Sequence, residues 1–273
     1  MSAEVCQLGV HMYQLTVFFA HLFIVRQICV AVRKMTNDPS FMIAPLTLRP
    51  HDAKNASQYV ICKQLNLFFE KGVFLMTFSI DFSSAPKLPV GSHIANFTGH
   101  RPPKLGGYNP SNPRVKKTLL ALRALIEHYI EQGVDTFITG MALGIDMWAA
   151  RIVLALKGAY PHIKLYAYVP CQGQFRAWEK NPQSIREWWD IIDHCDGVHY
   201  VSKESYEASG GAKCMQARNV AMVDDAHLVI AVWDGTAGGT GNCVQYAKDK
   251  SRSAEFAPVI VRLDPNTHAV SRA

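Results

Sequence analysis

The stretch WDGTAGGTGNCVQYA, at 233–247, sets Gly238, Gly239 and Gly241 around Thr240 where an apolar helical pattern begins. Glycines strip side chains from a turn, so backbone N–H groups at the helix start are open to an anion. With the Thr240 hydroxyl they make a phosphate cradle, and Asp234 and Asn242 flank it as further ligand contacts. No Gly-Lys-Ser/Thr follows, and the dinucleotide GxGxxG is not in its usual first-turn position. The chemistry implied is anion binding at a helix start, with nothing said about bond breaking.

A second glycine turn, GMALGIDMWAA at 140–150, joins an apolar run to an apolar helix. Gly140 and Gly144 bare the backbone beside Met141 and Ala142, and Asp146 falls in the first helical turn. Two roles stand open for Asp146: it complements the helix dipole or caps, or it accepts hydrogen bonds from a ribose or base. In TGHRPPKLGGY, at 98–108, Thr98 and Gly99 allow close approach, while His100 and Arg101 put donors on a rim. Arginine grips phosphate bidentately, although Pro102 and Pro103 also suit a plain surface turn. PCQGQFRAW, at 170–178, adds Gln172, Gln174, Arg176 and Trp178, the last a base-stacking surface or simply core. Arg218 and Asn219 complete the set; Asp224 and Asp225 are badly spaced for Arg218, which points to a phosphate or loop partner.

These residues need a scaffold, and the pattern around them supplies one. Short apolar runs at 93–99, 135–140, 164–170, 197–202, 227–235 and 258–263 read as strands. Between them lie helical patterns at 113–133, 143–157, 176–193, 212–226 and 242–250. Alternation of this kind predicts an α/β, Rossmann-like, doubly wound fold: a mostly parallel sheet with helices on both faces. Ligands in such folds sit beyond the carboxyl ends of the strands, near the point where strand order reverses. The unusual residues all fall in those loops.

Composition narrows the rest. Of 273 residues 49% are hydrophobic, enough for a large core, and the net charge of +6 suits an anionic ligand. The basic residues are scattered rather than striped, which disfavours nucleic acid as the partner. Seven cysteines show no CxxC spacing, so reduced thiols in a cytoplasmic protein are expected, with no metal and no cofactor.

Residues 1–92 lack the alternation and are expected to be an atypical extension ahead of a 93–273 ligand-binding domain. The apolar run 16–32 is broken by His21, Arg26 and Gln27, and it reads as an amphipathic helix or loose arm rather than a membrane span. Lys71-Gly72-Val73 can be encoded by a ribosome-binding sequence, so natural translation is expected to start at Met76.

Taken in order, TGHRPPKLGGY, TGMALGIDMWAA, VPCQGQ with Trp178, and ARNVAMVDDAHLVIAVWDGTAGGTGNCVQYA resemble the SLOG superfamily over 93–263. Within it the likeness is to the stand-alone YspA/YpsA-like branch of bacteria and phages. TGMALGID is also similar to the glycine turn of the DNA-uptake member DprA, and AGGTGNCVQ to the PGGxGTxxE loop of LOG-type phosphoribohydrolases. The resemblance implies a pocket for a nucleotide or nucleotide-derived signal, held in a homo-oligomer. Relatives in that superfamily include both sensors and enzymes, and departures in this sequence favour a sensor or sequestering protein. The LOG glutamate is matched by Gln245 and the leading proline by Ala237, and glutamine cannot serve as an ionised carboxylate. Asp146, Glu179 and Asp234 are the carboxylates left to replace it. Two alternatives follow: N-glycosidic hydrolysis of a nucleotide or ADP-ribose-like substrate, and DprA-like binding of single-stranded DNA.

Overall fold

The structure, a computed structural model, describes residues 80–178, 181–208, 211–253 and 257–273. The apolar run 16–32, the Met76 start and Glu179 lie outside them. β1 (Ile94–Gly99) leads through a one-turn α1 (Pro102–Leu105) into α2 (Pro113–Ile130). Then come β2 (Thr136–Thr139), α3 (Ile145–Leu156) and β3 (Lys164–Val169). A 3₁₀ turn (Gln174–Trp178) precedes α4 (Pro182–His194) and β4 (Gly197–Tyr200). α5 (Ala212–Asp224), β5 (Leu228–Val232), α6 (Gly239–Ser253), β6 (Val259–Leu263) and β7 (Val270–Arg272) complete the described residues.

Seven strands form one sheet in the order β4-β3-β2-β1-β5-β6-β7, parallel except for the β6–β7 pair. Each parallel pairing requires a crossover, and the helices that make the crossovers cover both faces. On one face α2, α3 and α4 bury Leu122, Leu125, Ile126, Ile145, Val153 and Trp188 against the sheet, around the stacked rings of Phe97 and Phe137. On the other, α5 and α6 close over Val229, Ala231 and Ile260 with Val223, Cys243, Val244 and Ala247. Fully burying such side chains contributes roughly 1.5–3 kcal/mol each, which is what holds the helices to the sheet.

The doubly wound fold expected from the sequence is present, with differences that have local causes. The segment expected as one helix over 176–193 is a 3₁₀ turn and a separate helix, because Asn181 caps α4 by accepting from the Ser184 amide ahead of Pro182. The last crossover helix starts earlier than expected, at Gly239, so the glycine turn forms its first residues. β7 was not expected; it pairs antiparallel through Leu263–Val270 and Arg262–Ser271. The packed core also reaches back past His93. Ile80 and Phe82 are buried, Phe82 stacks on His128 at 4.5 Å, and the Tyr129 hydroxyl donates to the Pro86 carbonyl.

Strand order reverses at β1: the chain adds β2 on one side and returns to place β5 on the other. Gly99 of β1 is in register with Val232 of β5, and the His100 amide extends the ladder to the Val232 carbonyl. The loops after these two strands therefore diverge from adjacent points and leave a crevice.

Candidate functional site

A cavity of about 320 Å³ occupies that crevice. Of the residues singled out in the sequence, Thr98, Gly99, His100, Arg101, Ala142, Asp146, Arg218, Asn219, Gly238, Gly239 and Thr240 all line it. They come from both faces of the sheet and four separate loops or helices, so the fold collects what the sequence scatters.

The floor is a buried ion pair. Arg218 Nη1 lies 2.7 Å from Asp146 Oδ2, with side chains only 6% and 8% exposed. Gly140 explains how this fits: a Cβ there would come within 1.1 Å of Arg218 Nη1. The Gly140 carbonyl accepts from Gln174 Nε2, and Gln174 Oε1 in turn accepts from the Trp188 indole. Arg218 itself is held by Asp146 and by a contact of Nη1 with Met222 Sδ at 3.7 Å, and its Nε has no hydrogen-bond partner among the described residues. Gly140 does not line the cavity; its missing Cβ yields space to the guanidinium. Arg218 has a partner in Asp146, which offsets the cost of its burial, and it also lines the cavity.

One wall is the glycine turn. Gly238 has φ +143, a conformation that side chains resist, and a Cβ on Gly239 would meet nothing within 4 Å. α6 begins at Gly239, so its first amides have no helical carbonyl to bond and open toward the cavity. The turn leading there is braced. Asp234 Oδ1 accepts from the Thr236 amide at 2.9 Å and the Thr236 hydroxyl at 2.6 Å, and lies 2.7 Å from His100 Nε2. Partial burial pushes the Asp234 carboxyl up, but Thr236 and His100 outweigh it and hold the carboxyl well below the usual carboxylate range. Asp234 therefore shapes the wall from behind instead of lining it.

The opposite rim is cationic. Arg101 leads into α1 and is exposed, yet protein crowding its guanidinium lowers its pKa; Asp146 opposes that shift and Arg218 adds to it. Lys104, one turn on, donates from Nζ to Thr236 Oγ1 at 2.7 Å and so ties the rim to the glycine wall.

Other expected residues stand apart. Met141 is fully buried at φ +56, a strained conformation for a non-glycine residue, and supports the turn from below. Gly144, at φ +96, starts α3 against the His100 carbonyl. Gln172 is exposed and pairs through its backbone with the 204–206 segment, and Asn242 points to solvent on α6. Trp178 is core, not a stacking surface. Lys104, Met215 and Thr236, which the sequence did not single out, also line the cavity, together with Pro103, Ala237 and Gly241. Lys104 was visible three residues after Arg101 in a proline-started helical turn, a spacing that puts both on one side.

Chemically the cavity offers amides and cations to an anion. Its carboxylates are already engaged, Asp146 with Arg218, and Asp234 behind the wall with Thr236 and His100. Gln245 is exposed on α6 and donates to Asp249, away from the cavity lining. Among the described residues no group of three or more His, Cys, Asp or Glu is placed to hold a metal, and no helix is long and apolar enough to cross a membrane.

The YspA SLOG family matches residues 95–265, the whole of the sheet up to β6 and its helices. A UPF0398 protein of Bacillus thuringiensis (strain Al Hakam) is 27% identical over 158 residues, covering 58% of this chain and 83% of that protein. The SPbeta prophage-derived protein YoqJ of Bacillus subtilis (strain 168) is 34% identical over 145 residues, covering 50% and 84%. Among solved structures, DNA processing protein A from Helicobacter pylori, described for its single-stranded DNA binding mode, aligns at a TM-score of 0.39 and 16% identity. That alignment covers 66% of this chain and 69% of that one.

Proposed function

The chain belongs to the YspA SLOG family, and from that premise we propose that it binds a nucleotide or nucleotide-derived signal as a sensor or sequestering protein. The observation that carries this reading is one cavity of about 320 Å³ that brings the first residues of α6, from Gly239 on, together with Arg101 and Lys104. A terminal phosphate seated between them gains charge-assisted hydrogen bonds from both sides. The cavity lies within the usual size range for small-ligand sites, roughly 300–1,000 Å³. Binding without cleavage fits the carboxylates' engagement elsewhere, since glycosidic hydrolysis needs an ionised group facing the bond. The proposal places the protein in the cytoplasm as a homo-oligomer, with no cofactor.

Thermal denaturation with a panel of AMP, ADP, ADP-ribose and cyclic dinucleotides tests it. At a hundredfold excess over Kd, a bound compound stabilises by about 2.7 kcal/mol, a shift of several degrees in Tm. At least one compound shifts the melt and is recovered intact by chromatography. Recovery of free base in place of nucleotide transfers the protein to the hydrolases. Flat melts together with salt-sensitive retention of oligo-dT transfer it to the single-strand DNA binders.

A further inference from the structure

Two sulfurs stand close together just outside the cavity lining, one of them next in sequence to its Met215. Cys171 follows β3 and is fully buried; Cys214 stands in the first turn of α5 and is 5% exposed. Their Sγ atoms are 3.5 Å apart, and a disulfide bond is about 2.05 Å. Cys214 also touches the Gly211 carbonyl at 3.0 Å, and Gly211, at φ +55, is the joint on which α5 begins. The remaining described cysteines are poorer targets, because burial pushes the Cys195 thiol up to about 12 and the Cys243 thiol up to about 11.

We propose that Cys171 and Cys214 are an oxidisable dithiol, converted by hydrogen peroxide to a disulfide that ties α5 to β3 and weakens ligand binding in the adjacent cavity. The first half stands on the sulfur geometry alone; the second rests on the nucleotide reading. The Cys214 thiolate attacks one peroxide oxygen, the O–O bond breaks, and the departing hydroxide takes up the thiol proton as water. Cys171 sulfur then attacks the resulting sulfenic sulfur. The S–O bond breaks, the Cys171 proton leaves with the hydroxyl as a second water, and the S–S bond forms. Two thiols lose two electrons and one peroxide becomes two waters. Peroxide is small enough to reach a nearly buried sulfur.

The effect on the cavity follows from topology. α5 carries Met215, Arg218 and Asn219 into the lining, while Cys171 lies at β3, away from the β5 side where the glycine wall stands. Closing the sulfur gap draws the first turn of α5 toward β3, which pulls this lining away from Gly238 and Gly239.

The test treats the full-length protein with hydrogen peroxide and maps peptides without reduction. The expected result is a Cys171–Cys214 link with an intact-mass loss of about 2 Da, a Tm rise of about 5 °C, and reversal by dithiothreitol. Cys171→Ser and Cys214→Ser each lose the link. AMP and ADP are the binding probes, and their affinity falls about tenfold on oxidation, a change of 1.4 kcal/mol. Absence of the link in wild-type protein overturns the dithiol. A link formed with unchanged AMP and ADP affinity overturns the coupling. If reduced protein binds neither probe, the nucleotide reading has failed, and the link and Tm rise still decide the dithiol.

Discussion

Gly140 and Gly239 are the same residue put to opposite uses. At Gly140 the missing Cβ is filled by the Arg218 guanidinium; at Gly239 it opens onto the cavity. Gly140→Ala therefore drives Arg218 from Asp146 and leaves both charges poorly compensated. The expected loss is on the order of 3 kcal/mol of folding stability, read by urea denaturation. In an Arg218→Met, Asp146→Leu background the same substitution costs less than half as much, because nothing charged remains to displace. An equal cost in both backgrounds would show that the crowding is not at the ion pair. The sequence did not show this. Arg218 and Gly140 meet only through space, and a glycine before a helix reads the same whether it faces an anion or a buried arginine.

At the scale of elements, the β5–α6 turn decides whether the glycine wall stays in place. Asp234 anchors it to Thr236 and, through His100, to the end of β1. Folding holds the Asp234 carboxyl below its usual range, with Thr236 and His100 winning over burial. Its contribution is complete above the unfolded-state pKa of about 3.9 and is lost only as pH falls through the lower folded value. Asp234→Asn thus lowers stability near neutral pH and flattens the acid limb of the Tm–pH curve between about pH 4 and the folded value. A variant curve parallel to wild type through that window would remove Asp234 from the account. The elements themselves were largely legible: six strands and their crossovers stand where short apolar runs alternate with helical periodicity. β7 was not, since three residues of mixed polarity carry no period, and only the waiting edge of β6 makes them a strand. The break ahead of α4 was missed because a cap at Asn181 interrupts a pattern that stays amphipathic on both sides.

For the whole molecule, the position of the candidate cavity was readable before its wiring. A doubly wound sheet puts ligands where strand order reverses, and the cavity lies there, between the ends of β1 and β5. The sequence could say which loops meet; it could not say that Asp146 would be consumed by Arg218, or that Lys104 would tie one loop to the other. Those contacts depend on register and crossover, which join residues far apart in the chain. The proposed anion site is the cavity they leave, lined by Arg101, Lys104 and the first residues of α6. Isothermal titration calorimetry of wild type, Gly239→Val and Arg101→Ala with AMP, ADP and ADP-ribose tests that claim most directly. Wild type gives saturable heat and both variants bind at least about tenfold more weakly, with urea-unfolding free energies within about 0.5 kcal/mol of wild type. Undiminished binding in both variants, or no heat from wild type with any of the three, would contradict it.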